Sequence, residues 1–306
     1  MVGAGGRGLP RLRRLPAQDR PGDPGLHRRA QELSTPVVVV TGASDGIGAA
    51  AARRLHRSGA RVVVVGRSPD KTAAVAAELG VDAHVADFTR LDDVRRLAAE
   101  LSRLPRVDVL VNNAGASFAA RELTADGHER TFQVDHLAPY LLTRLLEPQL
   151  RAARGRVVST ASFVHWLGWV RRGTLEAAYR SDRTYVGTRT YAKAKLATVL
   201  FTTELARRWA PEVTATCLDP GGVASNFGAT AGGLIGLAFR TPLTAFLRTP
   251  AQGADTLVWL ATAGDGWRNG ALHADRSRTR RLPAAGDAVR AAELWELSAR
   301  LVGLPA

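Results

Sequence analysis

The segment Tyr191-Ala192-Lys193-Ala194-Lys195 sets a phenol and an ammonium four residues apart. On a helix, positions four apart share a face, so Tyr191 and Lys195 would project together. A phenolate is favoured beside a cation, so the Tyr191 pKa is expected to fall from its reference of about 10. That would suit Tyr191 to give and take a proton nearer neutral pH. Ser162 lies 29 residues upstream (191 − 162) and offers a hydroxyl to hold a reacting oxygen. A lone Y-x-x-x-K is a common pattern, and it gains meaning only from the motifs that precede it in the right order.

The first of these is Thr41-Gly42-Ala43-Ser44-Asp45-Gly46-Ile47-Gly48, between a β-branched run and a helical stretch. Glycines permit a tight turn and let a phosphate approach the backbone, and the next helix points free N–H groups and its positive dipole end at that phosphate. Thr41, Gly42, Ser44, Asp45, Gly46, Ile47 and Gly48 are therefore candidate nucleotide contacts. The spacing is G-x-x-x-G-x-G rather than G-x-G-x-x-G. The second strand ends Val64-Val65-Gly66-Arg67, with no acid to bind a ribose 2′-hydroxyl. Arg67 can instead pair with a 2′-phosphate, which favours NADP(H) and leaves NAD(H) open. The plain alternative is a surface arginine. Asp87-Phe88 and Asn113-Ala114-Gly115 follow the third and fourth strands. Asp87 could accept from an adenine amino group, and the small residues leave room for a cofactor crossing the sheet. Alone, each would be an ordinary turn.

These residues need a frame, and the chain supplies one. Val37–Thr41, Arg61–Val65, Ala83–Ala86, Val107–Val111, Arg156–Thr160 and Glu212–Leu218 read as strands. Ala49–Ser58, Pro69–Leu79, Leu91–Leu104, Glu122–Leu150, Thr190–Arg208, Pro250–Ala263 and Ala291–Val302 read as helices. Alternation implies right-handed βαβ units in a doubly wound parallel sheet, a Rossmann-type three-layer αβα domain over residues 35–306. Ligands then belong at the carboxyl ends of the strands. Two apolar inserts, 163–189 and 224–250, break the rhythm. They would line a substrate pocket or simply pack under long loops.

Composition narrows the partners. The formal charge is 42 − 28 = +14, carried almost wholly by arginine, since Lys71, Lys193 and Lys195 are the only lysines. With abundant Ala and Gly, that bias reads as a high-GC genome and a solvated surface, so nucleic acid is not expected. A polyanion or anionic-membrane surface stays as the alternative. The Arg-, Gly- and Pro-rich residues 1–34 are expected to be disordered or loosely attached, with a transit peptide or an upstream start as other accounts. There is no apolar run long enough for a bilayer, and a cytoplasmic location is expected. Cys217 is the only cysteine and reads as a buried structural thiol.

Together the Thr41–Gly48 loop, Asn112–Gly115, the Phe132–Thr143 stretch, Ser162, Tyr191/Lys195 and Pro220-Gly221 resemble the short-chain dehydrogenase/reductase family, over about residues 36–303. The long step from Ser162 to Tyr191 and Leu294-Trp295-Glu296-Leu297-Ser298 are similar to its retinol-dehydrogenase-like branch. The resemblance implies hydride transfer between nicotinamide and a hydrophobic carbonyl or alcohol. In it Tyr191 gives or takes the proton, Ser162 bonds the oxygen, and Lys195 lowers the Tyr191 pKa and holds the ribose. It also implies that Pro220, Gly221 and Val223 pass the carboxamide, with Ser225 where the family often has threonine. A homo-oligomer is compatible with it. One residue departs from the pattern: Asp135 stands where the family usually has asparagine in a water relay. An ionised carboxylate accepts but cannot donate. A dinucleotide-binding sensor or partner protein with little redox turnover is the alternative that Asp135 raises.

Overall fold

The first buried strand, β1 (Val37–Thr41), is four valines and a threonine, all buried. Its neighbours on both edges are parallel: β2 (Arg61–Gly66) and β4 (Val109–Asn112). β-branched residues suit a strand covered on both faces, and that is where they lie. A computed structural model describes Met1 and residues 35–168, 170–180, 185–224 and 247–306. Expectations for residues 2–34, Ser225 and most of insert 224–250 lie outside the described residues.

The sheet has eight strands in the order β3-β2-β1-β4-β5-β6-β7-β8. Here β3 is Asp82–Val85, β5 Arg156–Thr160, β6 Thr214–Leu218, β7 Leu272–Ala274 and β8 Ser277–Arg278. All neighbours are parallel except β7 and β8. The strand order reverses direction between β1 and β4. A crevice outside the carboxyl ends forms at such a switch point.

Two apolar layers cover the sheet. On one face α1 (Gly46–Arg57) and α9 (Asp255–Thr262) bury Leu55, Leu257 and Leu260 against Val38, Val40 and Val158. On the other, α3 (Leu91–Leu101), α7 (Gly187–Trp209) and α10 (Ala288–Leu301) enclose Leu97, Leu200, Phe201 and Trp295. Trp295 packs edge-on against Tyr140 at 5.2 Å and stacks on Phe201 at 6.0 Å. Pro36–Ala306 forms one unit. Cys217 is fully buried in β6, and burial pushes its thiol up to about 12.

Several elements differ from the sequence reading. The helix expected over 122–150 starts only at Arg130, because Thr124–Gly127 closes a turn in which Gly127 takes φ 78°. From there α4 (130–145) runs as Arg130–Phe132, a π turn Gln133–Leu137 and Ala138–Leu145. Pro139 explains the wide turn. It has no N–H for the carbonyl of Asp135, and the ladder slips to Ala138 N–H donating to Gln133. A short helix α5 (Glu147–Ala153) follows. The helix expected over 250–263 is broken at Ala254 into α8 (Pro250–Gly253) and α9. Among the described residues the remaining helices are α2 (Pro69–Leu79) and α6 (Leu175–Arg180), the latter inside the first insert.

Candidate active site

The crevice floor is built by cross-strand bonds among polar strand tips. Thr41 Oγ1 donates to the Val111 carbonyl at 3.1 Å and accepts from the amides of Asn113 and Ala114 at 3.0 and 3.1 Å. Asn113 donates to the Thr41 carbonyl at 3.1 Å and accepts from Thr160 Oγ1 at 3.2 Å. One amide side chain thus laces the tips of β1, β4 and β5. Thr41 and Asn113 shape the cradle; their side-chain bonds are spent on the protein itself.

Above that floor the glycine loop turns into α1. Gly42 has φ +65°, and a Cβ there would lie 2.8 Å from the Cα of Ala114, so only glycine fits. Gly48 lies so close to the Gly42 carbonyl that a Cβ would stand at 2.3 Å. Asp45 caps α1, its Oδ1 accepting from Gly46 N–H at 2.7 Å. The amides of Ile47 and Gly48 lie in the first turn, where no carbonyl four residues back belongs to the helix. Asp45 Oδ2 pairs with Lys71 Nζ at 2.9 Å, on the first turns of α2. Arg67 is exposed at the end of β2, next to Gly66, which touches Ser44. The tips of β1 and β2 therefore gather Asp45, Arg67 and Lys71. Lys71 was passed over in the sequence, where its exposed helical position carries no motif.

The other candidates divide. Asp87 caps its own turn, accepting from Thr89 N–H at 2.9 Å, while the Phe88 ring is buried in the core. Phe88 can offer a ligand only its backbone, and Gln133 already donates to its carbonyl at 3.3 Å. Gly115 is exposed beside Asp135 and Lys195; a Cβ there would stand 3.2 Å from both Asp135 Oδ1 and Lys195 Nζ. After β6, Asp219 accepts from Gly221 N–H at 3.0 Å, and Gly221 takes φ 74°. Val223 packs with Ile47 around Gly253, which brings the glycine loop against the Pro220–Val223 segment.

Tyr191, Lys195, Ser162 and Asp135 converge and are all buried. Tyr191 and Lys195 lie on α7; Ser162 follows β5; Asp135 sits in the π turn of α4. The Tyr191 hydroxyl is bonded to Ser162. Ser162 Oγ accepts from Val164 N–H at 3.4 Å as the cap of a 3₁₀ turn, Phe163–Leu167. Lys195 Nζ donates to the Thr160 carbonyl at 3.1 Å and faces Asp135 Oδ2 at 3.4 Å. Asp135 Oδ1 accepts from Ala116 N–H at 2.7 Å, and Oδ2 has no aligned hydrogen bond.

This charge balance corrects one expectation. The Tyr191 phenol stands well above its ordinary range, not below it. Burial is the largest cause, and the Asp135 charge adds to it; the Ser162 bond works the other way. The lysine does not offset them because its charge is matched by Asp135, and Nζ lies 5.4 Å over the tyrosine ring. Burial also raises the Asp135 carboxyl, against the pull of Lys195.

The 163–189 insert is partly packing. Val170, Leu175 and Tyr179 are buried, with Tyr179 stacked on Phe132 at 4.0 Å. Phe163, Trp166, Leu167 and Val186 remain exposed, Leu167 at 65%. Among the described residues, no group of three or more His, Cys, Asp or Glu could hold a metal ion, and no helix is long and apolar enough to cross a membrane.

A phenol and a lysine on one helix, a serine after β5 and a glycine loop at a switch point define an NAD(P)-dependent oxidoreductase acting on CH–OH or C=O groups. The family profile for short chain dehydrogenase matches residues 36–175. The chain belongs to that family, in its retinol-dehydrogenase-like branch. A Streptomyces protein named as a daunorubicin C-13 ketoreductase is 42% identical, over 87% of this chain and 92% of its own. Human retinol dehydrogenase 14 is 35% identical over 96% and 92%. Among solved structures, an uncharacterised protein of Mycobacterium paratuberculosis superposes with a TM-score of 0.71 at 30% identity, over 90% of this chain and 98% of that one. A short chain dehydrogenase from Shigella flexneri complexed with NADP gives 0.61 at 26% identity, over 79% and 98%.

Proposed function

We propose that this chain is an NADP(H)-dependent reductase or dehydrogenase of a bulky hydrophobic carbonyl or alcohol, with Tyr191 as general acid and base. The observation that carries the reading is the Tyr191 hydroxyl bonded to Ser162, with Lys195 one turn along the same helix face. NADP(H) supplies or accepts the hydride when bound. Its phosphates suit the first-turn amides of α1 beside loop glycines that no side chain can replace. Arg67 and Lys71 would bind a 2′-phosphate by charge-assisted bonds.

The side chains then divide the work. Ser162 orients the substrate oxygen toward Tyr191. Tyr191 donates its proton as a carbonyl is reduced and recovers it as an alcohol is oxidised. A phenol held protonated by burial suits the donor role at neutral pH. Exposed Phe163, Trp166 and Leu167, in the turn that Ser162 caps, and exposed Val186 at the start of the Tyr191 helix support a large apolar substrate. So does the likeness to proteins named for daunorubicin and retinol. A cytoplasmic setting is part of the same reading.

The decisive experiment follows NADPH oxidation over a panel of polycyclic and long-chain ketones and aldehydes. Turnover is expected with NADPH above NADH. Tyr191→Phe should abolish it while leaving NADPH binding within about twofold, since it removes one proton-transferring group. Retained hydride transfer in that variant would remove Tyr191 from the chemistry. A second reading, a dinucleotide sensor with little turnover, is favoured by the Asp135–Lys195 pair and the raised Tyr191 pKa. Tight NADPH binding without oxidation across the panel would support it.

A further inference from the structure

Ser162 can act only if its hydroxyl is aimed, and a buried histidine three positions on bonds its backbone. The His165 imidazole is 1% exposed, inside the 3₁₀ turn that Ser162 caps. Its Nδ1 lies 2.7 Å from the Ser162 carbonyl, and its Nε2 lies 3.2 Å from the Leu282 amide. A carbonyl only accepts and a backbone amide only donates. So Nδ1 carries the proton and Nε2 receives one. A single neutral tautomer satisfies both bonds, and the ring has no nitrogen left for proton transfer. The Ser162 carbonyl also accepts from His165 N–H at 3.1 Å. Two donors of one residue therefore fix the peptide that leaves Ser162. The far end of the ring is fixed by a segment 117 residues away. That segment leads into the 3₁₀ turn Pro283–Gly286, which Thr203 of α7 contacts through the Ala285 carbonyl.

We infer that His165 is a positioning residue for Ser162, holding its backbone so that Oγ faces the Tyr191 hydroxyl, with Leu282 locking the tautomer. The inference rests on the reading of Ser162 as the group that holds the substrate oxygen. A misplacement of about 1 Å at a reacting group costs on the order of 100-fold in rate, so a loosened Ser162 is visible in kcat.

Two substitutions separate aiming from mere packing. In His165→Asn the side-chain amide replaces Nδ1–H and keeps the bond to Ser162. In His165→Gln the amide oxygen reaches the Nε2 position and keeps Leu282 but not Ser162. Each loses one bond, and the shorter asparagine also leaves the larger cavity, so its melting temperature should fall further while its activity is kept. With NADPH and a ketone that the wild type reduces, the glutamine variant should lose about 10- to 100-fold in kcat. Its KM for NADPH should be unchanged, and the asparagine variant should stay within about threefold of wild type. A crystal structure of the glutamine variant should show Ser162 Oγ turned away from Tyr191. Equal losses in the two variants, or a folded glutamine variant with wild-type kcat, overturn the inference. Should glutamine prevent folding, asparagine decides: a tenfold loss of kcat there overturns it. Ser162→Ala is the control. Full activity in that variant refutes the role given to Ser162, whereas activity lost there and kept in His165→Gln refutes the role given to His165 alone.

Discussion

His136 lies in the π turn beside Asp135, and its titration gives a stability experiment with a definite size. Burial alone lowers its pKa from 6.5 to about 3. Its Nε2 lies 2.7 Å from Ser298 Oγ, which itself donates to the Leu294 carbonyl, so Nε2 carries the proton and the ring is neutral. The unfolded chain takes up a proton on this histidine below pH 6.5, and the folded chain does not until about pH 3. More protons on the unfolded state means that stability falls as pH drops through that window. At about pH 5 the unfolded histidine is almost fully charged and the folded one almost fully neutral, a difference of about 2 kcal/mol. Shifting the folded pKa by one unit barely alters that figure at this pH. The perturbation is His136→Phe, which keeps a ring between Phe132 and Phe201 and removes the titration. It forfeits the Ser298 bond, about 1 kcal/mol at every pH. Urea unfolding at about pH 8 and pH 5 gives the loss on acidification for each protein. That loss should be smaller in the variant by about 2 kcal/mol. His165 and His273 are depressed in the same direction, also mainly by burial, and cancel in the comparison. Equal losses in wild type and variant would refute the reasoning.

Four further outcomes follow from the site. In Asp135→Asn the charge that adds to burial in opposing Tyr191 ionisation is gone, so the rising limb of alcohol oxidation should move to lower pH; a pH–rate profile with an unmoved limb speaks against it. Lys71→Gln removes the counter-ion of Asp45 near the proposed 2′-phosphate position, so KM for NADPH should rise about threefold, the modest size set by an exposed pair, with KM for NADH unchanged. Arg67→Gln should raise KM for NADPH about tenfold or more, and a proportional rise for NADH would show that neither residue reads the phosphate. Gly42→Ala should cost at least about 1–2 kcal/mol for a positive φ alone, with a further cost for the Ala114 backbone at 2.8 Å, measured by thermal unfolding of the free protein.

Much of the frame is legible in the chain because burial on both faces of a sheet demands unbroken β-branched runs. Val37–Thr41 and Arg156–Thr160 have the same bounds in sequence and structure. β7 and β8 went unread because three and two residues carry no period, and β7 holds a histidine. That histidine is buried by bonding Thr216 Oγ1 at 2.9 Å, a partner 57 residues away that no local pattern signals. Pro139 was visible, and a proline inside a helical run is the mark of a break, yet only the fold decides that a π turn absorbs it. The shared face of Tyr191 and Lys195 could be read from spacing, and Ser162 from its place just beyond the fifth strand. The state of Tyr191 could not, because it depends on burial and on a carboxylate from another helix. His165 carried no motif; its meaning comes from an amide 117 residues further along.

The charge arrangement bears on which direction of the proposed chemistry the free protein is set for. A buried ammonium and carboxylate at 3.4 Å form a nearly neutral unit, and each offsets part of the desolvation of the other. An asparagine at position 135 would leave the full charge of Lys195 to act on the phenol. With aspartate there, the phenol keeps its proton to high pH and still bonds Ser162. Carbonyl reduction needs that proton in place; alcohol oxidation needs it removed first. The same substitution that argues for a silent binding protein therefore also fits a reductase working where the phenol is protonated. The two readings part on turnover with NADPH.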